Sequence, residues 1–134
     1  MNVRIALIGA LLAATAVGCG DDGPVAAPTT AITITAEDFK FGPAKWSVYA
    51  GEFELTFHNH GSVEHEWAIL KKGEHITEES EFEEDLVLTE LDKVPAGEMS
   101  TASFTIEEPG EYQVICALDG HFDAGMSGIL TVFD

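Results

Sequence analysis

Short stretches in which apolar and polar residues alternate run through most of the chain after residue 30. Phe53, Leu55 and Phe57 alternate with polar residues, and a two-residue period places these three side chains on one face of a β-strand. Glycine and proline residues between such stretches predict turns. The strands predicted in this way are residues 31–36, 53–57, 65–69, 102–106, 111–116 and 128–133. Several short strands separated by turns predict an all-β fold, an antiparallel β-sandwich.

Residues 74–92 do not follow this alternation. Five of the seven residues from 78 to 84 are glutamate. The stretch is predicted to form a short helix or an irregular excursion from the sandwich. The sequence contains no internal repeat.

Residues 1–18 have the pattern of a signal peptide. Arg4 supplies a positive charge, and the uncharged apolar run that follows is too short to span a bilayer. The run closes on Ala16-Val17-Gly18-Cys19, which resembles a bacterial lipobox, although leucine is usual where Ala16 stands. Cys19 is therefore predicted to carry lipid, residues 19–30 to form a flexible linker, and residues 31–134 to form the folded domain.

This N-terminal pattern predicts that the domain lies outside the cytoplasm, anchored to a membrane by lipid. Ordinary signal cleavage, which would leave Cys19 as a free or bridged thiol, is the alternative. A disulfide between Cys19 and Cys116 is possible only in that case, because a lipidated cysteine has no thiol to offer.

The acidic composition narrows the choice of partner. The chain has 24 acidic residues against 6 Lys and Arg, a formal net charge of −18. Nucleic acid is not an expected partner, because contacts to phosphate need Lys and Arg. The hydrophobic fraction of 46% is that of a packed globule, so the charge does not indicate disorder. The acid excess keeps the protein soluble, suits life in high salt, or attracts a basic protein partner.

Cys116, His121 and Met126 lie close together in the sequence. Cys116 ends one predicted strand and residue 128 begins the next, so a single loop can place the three donors around one point. Thiolate and thioether suit Cu(I), and imidazole suits both oxidation states of copper. Two histidines and one cysteine with a weak axial methionine form a blue-copper electron-transfer site. Singly, these residues would be a buried thiol, a loop histidine and a core methionine.

The loop supplies only one histidine, so the second must come from elsewhere. His65 is the preferred candidate, because it follows a turn and shares a strand face with Trp67. His58, His60 and His75 compete with it. His75 lies in the acidic stretch and is expected to be solvated. His58 and His60 share a strand face and are either surface residues or a weak second metal site.

These motifs together resemble the small cupredoxins, the group of plastocyanin, azurin and rusticyanin. The resemblance covers about residues 31–134 and includes Asn59-x-Gly61 before His65, Pro95-x-Gly97-Glu98, Pro109-Gly110-x-Tyr112, the Cys-His-Met loop and the closing Gly-x-Leu-x-Val from Gly128. It implies a Greek-key β-sandwich with one type 1 copper ion, bound by His65, Cys116, His121 and Met126. Asp119 departs from the pattern, because proline is common at that position. Residues 74–92 have no place in it.

The function expected from the resemblance is one-electron transfer by a monomer. The acidic surface suits a redox protein with a basic docking surface, such as a c-type cytochrome. No catalytic residue is predicted. Multicopper oxidases flank the copper-binding cysteine with histidines, whereas this chain has Ile115 and Ala117 there. A copper chaperone or scavenger with the same ligands is the main alternative, and a copper-free sandwich in which Cys116 only packs is another.

Overall fold

The computed structural model describes residues 26–134 of the chain. These residues form nine β-strands in two sheets, joined by loops and turns. The strands are β1 (Ala31–Glu37), β2 (Lys40–Gly42), β3 (Lys45–Tyr49), β4 (Gly51–Asn59), β5 (His65–Leu70), β6 (Val87–Val94), β7 (Met99–Ile106), β8 (Gly110–Ile115) and β9 (Ser127–Phe133). One sheet has the order β2-β1-β4-β7, and the other has the order β3-β9-β8-β5-β6. The predicted all-β sandwich is confirmed.

Both sheets contain one parallel pair of strands. β1 runs parallel to β4, and β3 runs parallel to β9, whereas the remaining neighbours are antiparallel as predicted. Alternation in the sequence shows which face of a strand is buried, but it does not show the direction of the neighbouring strand. The two parallel pairs therefore could not be read from the pattern.

Three strands were not predicted from the sequence. β2 has only three residues, too few to show a period. In β3 three consecutive residues are buried, so no alternation is visible. β6 begins within the stretch that was predicted to be helical or irregular, and a β-bulge opposite β5 disturbs its pattern of buried residues. Only the earlier part of residues 74–92 is irregular.

The core lies between the two sheets and is dominated by aromatic rings. Trp46 and Trp67 meet edge to face with ring centroids 5.8 Å apart, and Trp67 also contacts Phe104 of the opposite sheet. Such aromatic pairs stabilise a core by about 1 kcal/mol beyond the apolar area that they bury. Trp67 and Tyr112 are both buried in this cluster and pack against its other side chains.

The acidic stretch covers the outer face of the five-stranded sheet. It contains two 3-10 turns, Glu79–Glu81 and Glu84–Leu86, between β5 and β6. Its apolar side chains, Ile76, Phe82 and Leu86, pack on a second buried cluster that includes Leu70 and Ile115. Because this layer covers one face of β5 and the main core covers the other, all six residues of β5 are buried.

Residues 1–25 lie outside the described residues, and with them the predicted signal peptide, Cys19 and most of the predicted linker. Between residues 26 and 134, no helix is long and apolar enough to cross a membrane.

Candidate metal centre

His65, Cys116 and His121 meet at one end of the sandwich, with one donor atom from each lying within 4.8 Å of the others. The Nδ1 atoms of the two histidines are 3.2 Å apart, and the Nδ1 atom of His121 is 3.3 Å from the Sγ atom of Cys116. His65 and Cys116 are fully buried, whereas His121 is partly exposed. Three of the four residues predicted as ligands are thus brought together.

Strand pairing explains why His65 and Cys116 meet. β5 and β8 are antiparallel neighbours, with Ala68 opposite Ile115. The start of β5 therefore lies beside the end of β8, so His65 and Cys116 come from adjacent strand ends. A hydrogen bond joins the two strand ends, because the backbone N–H of Glu66 donates to the Sγ atom of Cys116 at 3.5 Å.

The loop from residue 116 to residue 126 folds back on itself and holds His121 in place. The N–H of His121 donates to the carbonyl of Leu118, and the N–H of Met126 donates to the carbonyl of His121. The N–H of Cys116 donates to the carbonyl of Met126 at 3.1 Å, which closes the loop. Met126 is fully buried in the same apolar cluster as Cys116. The fourth predicted ligand thus lies at the base of the loop.

Burial shifts the pKa values of two of the candidate ligands. Burial, and then electrostatic repulsion from His121, lower the pKa of His65, although the Asp38 carboxylate partly opposes this shift. Burial raises the pKa of the Cys116 thiol, although backbone N–H groups of Glu66 and Leu118 partly oppose this effect. Two imidazole nitrogens 3.2 Å apart repel each other unless a proton or a cation lies between them. Imidazole nitrogens and a cysteine sulfur are groups that a soft metal ion binds, and the thiol releases its proton on binding.

The β1–β2 hairpin of the other sheet covers this site and brings an acidic side chain to it, which no local sequence pattern predicted. Asp38 has its Oδ1 atom 3.4 Å from the Nε2 atom of His65. Hydrogen bonds from the hydroxyl and the N–H of Ser62 hold the Asp38 carboxylate and lower its pKa. A carboxylate on the outer nitrogen of a histidine orients the ring and leaves its Nδ1 atom free for a metal.

Gly61 is required by this arrangement. A Cβ atom at this position would lie 2.4 Å from the Asp38 carboxylate and 2.6 Å from the Nε2 atom of His65. The side chain of Asn59 braces the same turn, since it accepts from the N–H of Gly61 and donates to the carbonyls of Val63 and Val94. The Asn59-x-Gly61 motif thus positions His65.

Aromatic packing covers one edge of His121. The ring of Phe39, in the turn between β1 and β2, meets the His121 ring edge to face with centroids 5.1 Å apart. Phe39 has φ of 66°, a left-handed conformation that is rare for a bulky residue. Phe122 packs inward on the cluster under the acidic stretch, so Phe39 rather than Phe122 provides an exposed aromatic surface beside His121.

Two hydrogen bonds attach the acidic stretch to the Cys-His-Met loop. The N–H of Gly120 donates to the Oε1 atom of Glu79 at 2.7 Å. In return, the N–H of Glu79 donates to the Oδ1 atom of Asp123 at 2.8 Å. Residues 74–86 therefore restrain both sides of His121. No signal in the sequence pointed to this contact, because the partners are far apart in the chain.

The other histidines stay outside the cluster. His58 and His60 lie at the end of β4, where their ring centroids are 5.9 Å apart. His75 is exposed in the acidic stretch, as expected. Among the described histidines, His65 and His121 are the pair that meets a cysteine.

The profile of the Cupredoxin-like domain family matches residues 4–132. The chain belongs to the cupredoxin-like family. No protein with curated function matches the sequence. The family, together with the convergence of two histidines and a cysteine, supports the predicted cofactor, one type 1 copper ion.

Solved structures share the fold of this cupredoxin-like chain. Reduced auracyanin from Roseiflexus castenholzii is 22% identical, with a TM-score of 0.68, covering 81% of this chain and 100% of that one. Auracyanin A from Chloroflexus aurantiacus, described as a "blue" copper protein, is 24% identical with a TM-score of 0.63, over 79% and 99% of the two chains. An azurin from Methylomonas sp. strain J is 18% identical with a TM-score of 0.61, over 79% and 99%.

The contact between the acidic stretch and the loop is testable. Glu79→Ala removes the acceptor for the N–H of Gly120, so the metal-free protein should lose about 1–2 kcal/mol of unfolding free energy. Amide hydrogen exchange at Gly120 should become faster, because the N–H has no protein partner. Urea unfolding and hydrogen exchange followed by NMR measure the two effects.

Glu74→Ala is the matched control. Glu74 is an exposed glutamate of the same stretch and makes no side-chain hydrogen bond to any described residue. Its replacement changes the net charge equally and should leave both measurements unchanged. Equal losses in the two variants would show that charge, and not the hydrogen bond to Gly120, is responsible.

Proposed function

We propose that this chain is a one-electron carrier with a single type 1 copper site formed by His65, Cys116, His121 and Met126. The convergence of two imidazole nitrogens and one thiol in a buried site carries the proposal. The burial of Met126 at the base of the same loop supports its place as the fourth ligand, whose thioether would be a weak, soft donor to copper. Copper at this site would supply the Cu(II)/Cu(I) couple.

The protein contributes a site whose geometry is already set. The Asp38 carboxylate lies 3.4 Å from the outer nitrogen of His65, and Cys116 accepts from the N–H of Glu66. The loop backbone and the ring of Phe39 restrain His121. Side chains restrained in this way would move little between the two oxidation states of a bound copper ion, which would favour fast electron transfer. His121 is the ligand nearest the surface, because it is partly exposed while His65 and Cys116 are buried.

Two observations favour a carrier over an enzyme or a chaperone. Cys116 is flanked by Ile115 and Ala117, which pack on the cluster beneath the acidic stretch, so no histidine beside the cysteine extends toward a second copper. Cys116 and Met126 are both fully buried, which opposes the easy release of metal that a chaperone or scavenger needs. Retention of copper through repeated oxidation and reduction would distinguish a carrier from a chaperone.

The spectrum of the copper-loaded protein tests the ligand set. Cu(II) should give an intense visible charge-transfer band and a narrow copper hyperfine splitting in EPR, because a thiolate binds the metal. Cys116→Ser should abolish the band. Met126→Gln should keep the band but lower the reduction potential, because an amide oxygen is a harder ligand that favours Cu(II).

Circular dichroism of the metal-free variants controls for folding. A folded wild-type protein with no charge-transfer band would contradict the electron-carrier proposal. A band that persists in Cys116→Ser would overturn the assignment of the thiolate ligand.

The acidic surface beside His121 supports a partner with a basic docking surface, such as a c-type cytochrome. A depression of about 630 Å³ next to His121 is lined by several carboxylates, among them Glu64, Glu84 and Asp119. Lys93 is the one cation in its lining. Electrostatic attraction at this depression would steer a basic partner toward the exposed edge of the histidine.

Electron exchange with a basic cytochrome should therefore slow as salt rises. Stopped-flow rates should fall severalfold between about 0.01 M and 0.15 M ionic strength, since the Debye length shortens from about 30 Å to about 8 Å. Glu64→Gln combined with Glu84→Gln should weaken this dependence. Glu52→Gln combined with Glu54→Gln, on exposed positions of β4, is the control with equal charge change. Rates independent of salt would contradict steering.

We also propose that the protein lies outside the cytoplasm, anchored by lipid on Cys19. The apolar run that ends at Ala16-Val17-Gly18-Cys19 supports this location. In a bacterial host, the full chain should fractionate with membranes, and Cys19→Ser should release it to the soluble extracytoplasmic fraction. Membrane association that survives in Cys19→Ser would argue against the lipid anchor.

A further inference from the structure

The outer face of the four-stranded sheet carries two histidines that the proposed copper site does not use. Along β4, alternate residues point into the core, and the residues between them point outward. His58 lies on the outward face, and His60 follows it by one period just beyond the strand. Their rings meet with centroids 5.9 Å apart, so two imidazoles stand side by side at the surface.

Met99 completes this cluster from the neighbouring strand. In the antiparallel pair of β4 and β7, His58 is directly opposite Met99. Residues in this position have Cβ atoms about 5 Å apart and share one face of the sheet. The Met99 side chain is 61% exposed, the most exposed of the large apolar side chains in residues 26–134. A thioether therefore lies on the surface beside His58.

The neighbours of the two histidines on the β1 side are polar. Thr35 of β1 is opposite His58 on the other side of β4. The N–H of His60 donates to the carbonyl of Ala36, which places Glu37 next along β1. Glu37 already forms an ion pair with Lys40 at 2.7 Å. The cluster thus offers two imidazoles and one thioether as unshared donors.

We propose that His58, His60 and Met99 form a second, solvent-exposed metal site that binds Cu(I). A thioether is a soft ligand that favours Cu(I) over harder divalent ions, and imidazole binds Cu(I) as well. Because the donors are exposed, copper at this site exchanges with solvent ligands far more readily than copper held by the buried Cys116. The site does not depend on the proposed electron-transfer function, since it shares no residue with it.

The test is the number of Cu(I) equivalents that the protein binds in competition with a chromophoric Cu(I) chelator under reducing, oxygen-free conditions. The full chain carries Cys19→Ser, so that Cys116 is the one thiol available. This protein should bind two equivalents, the second more weakly than the first. His58→Gln combined with His60→Gln should remove the second equivalent, and Met99→Leu should weaken it at least about tenfold.

Three controls isolate the surface site. His75→Gln removes another exposed histidine and should leave two equivalents. Cys116→Ser combined with His121→Gln should remove the buried equivalent but keep the surface one, so that failure of the electron-carrier proposal and failure of this one are distinguishable. After oxidation, the visible spectrum of the His58→Gln, His60→Gln variant should match that of its parent.

NMR of the imidazole protons identifies the residues directly. Addition of the second equivalent of Cu(I) should shift the ring resonances of His58 and His60 and the methyl resonance of Met99. Binding of one equivalent in total would overturn the proposal. Unchanged Cu(I) affinity in Met99→Leu would also overturn it, because Met99 would then not be a ligand and two histidines alone do not select Cu(I).

Discussion

The antiparallel pairing of β5 with β8 is the constraint on which the metal centre depends. It brings the start of β5 beside the end of β8, and the N–H of Glu66 donates to the Sγ atom of Cys116 across the two strand ends. A β-bulge between β5 and β6 begins at the same point, after His65. Bulges redirect side chains at functional sites. The ends of two rigid strands, and not a flexible loop, thus set the separation of the first two donors.

The rest of the molecule surrounds these strand ends in layers. The β1–β2 hairpin brings Asp38 to the outer nitrogen of His65 and the ring of Phe39 to His121. On the opposite side, the acidic stretch binds the loop through Glu79. Each contact comes from a segment that is distant in sequence from the residue it holds. The site is therefore supported by the tertiary fold rather than by its own loop alone.

Charge is distributed unevenly with depth. At the metal centre, burial lowers the pKa of His65 and raises the pKa of Cys116, and both shifts favour the uncharged form. Glu66 follows His65 and is only 9% exposed, and burial, then repulsion by Glu90, raise the pKa of its carboxyl to about 7. The surface, in contrast, carries a large excess of carboxylates. Such a division keeps the ionised groups in water, where they can act on a partner, and leaves the interior suited to a soft metal ion.

The sequence by itself determined the fold class and the strands with a clear two-residue period, and it singled out Cys116, His121 and Met126 as candidate donors, because residue type and spacing carry these properties directly. It also favoured His65 among the competing histidines, and the structure places His65 with Cys116 and His121. Only the tertiary structure revealed Asp38 and Glu79 as supports of the site, and His58 and Met99 as neighbours. These contacts join segments that no local pattern relates, since alternation defines the buried face of a strand but not the strand that lies beside it.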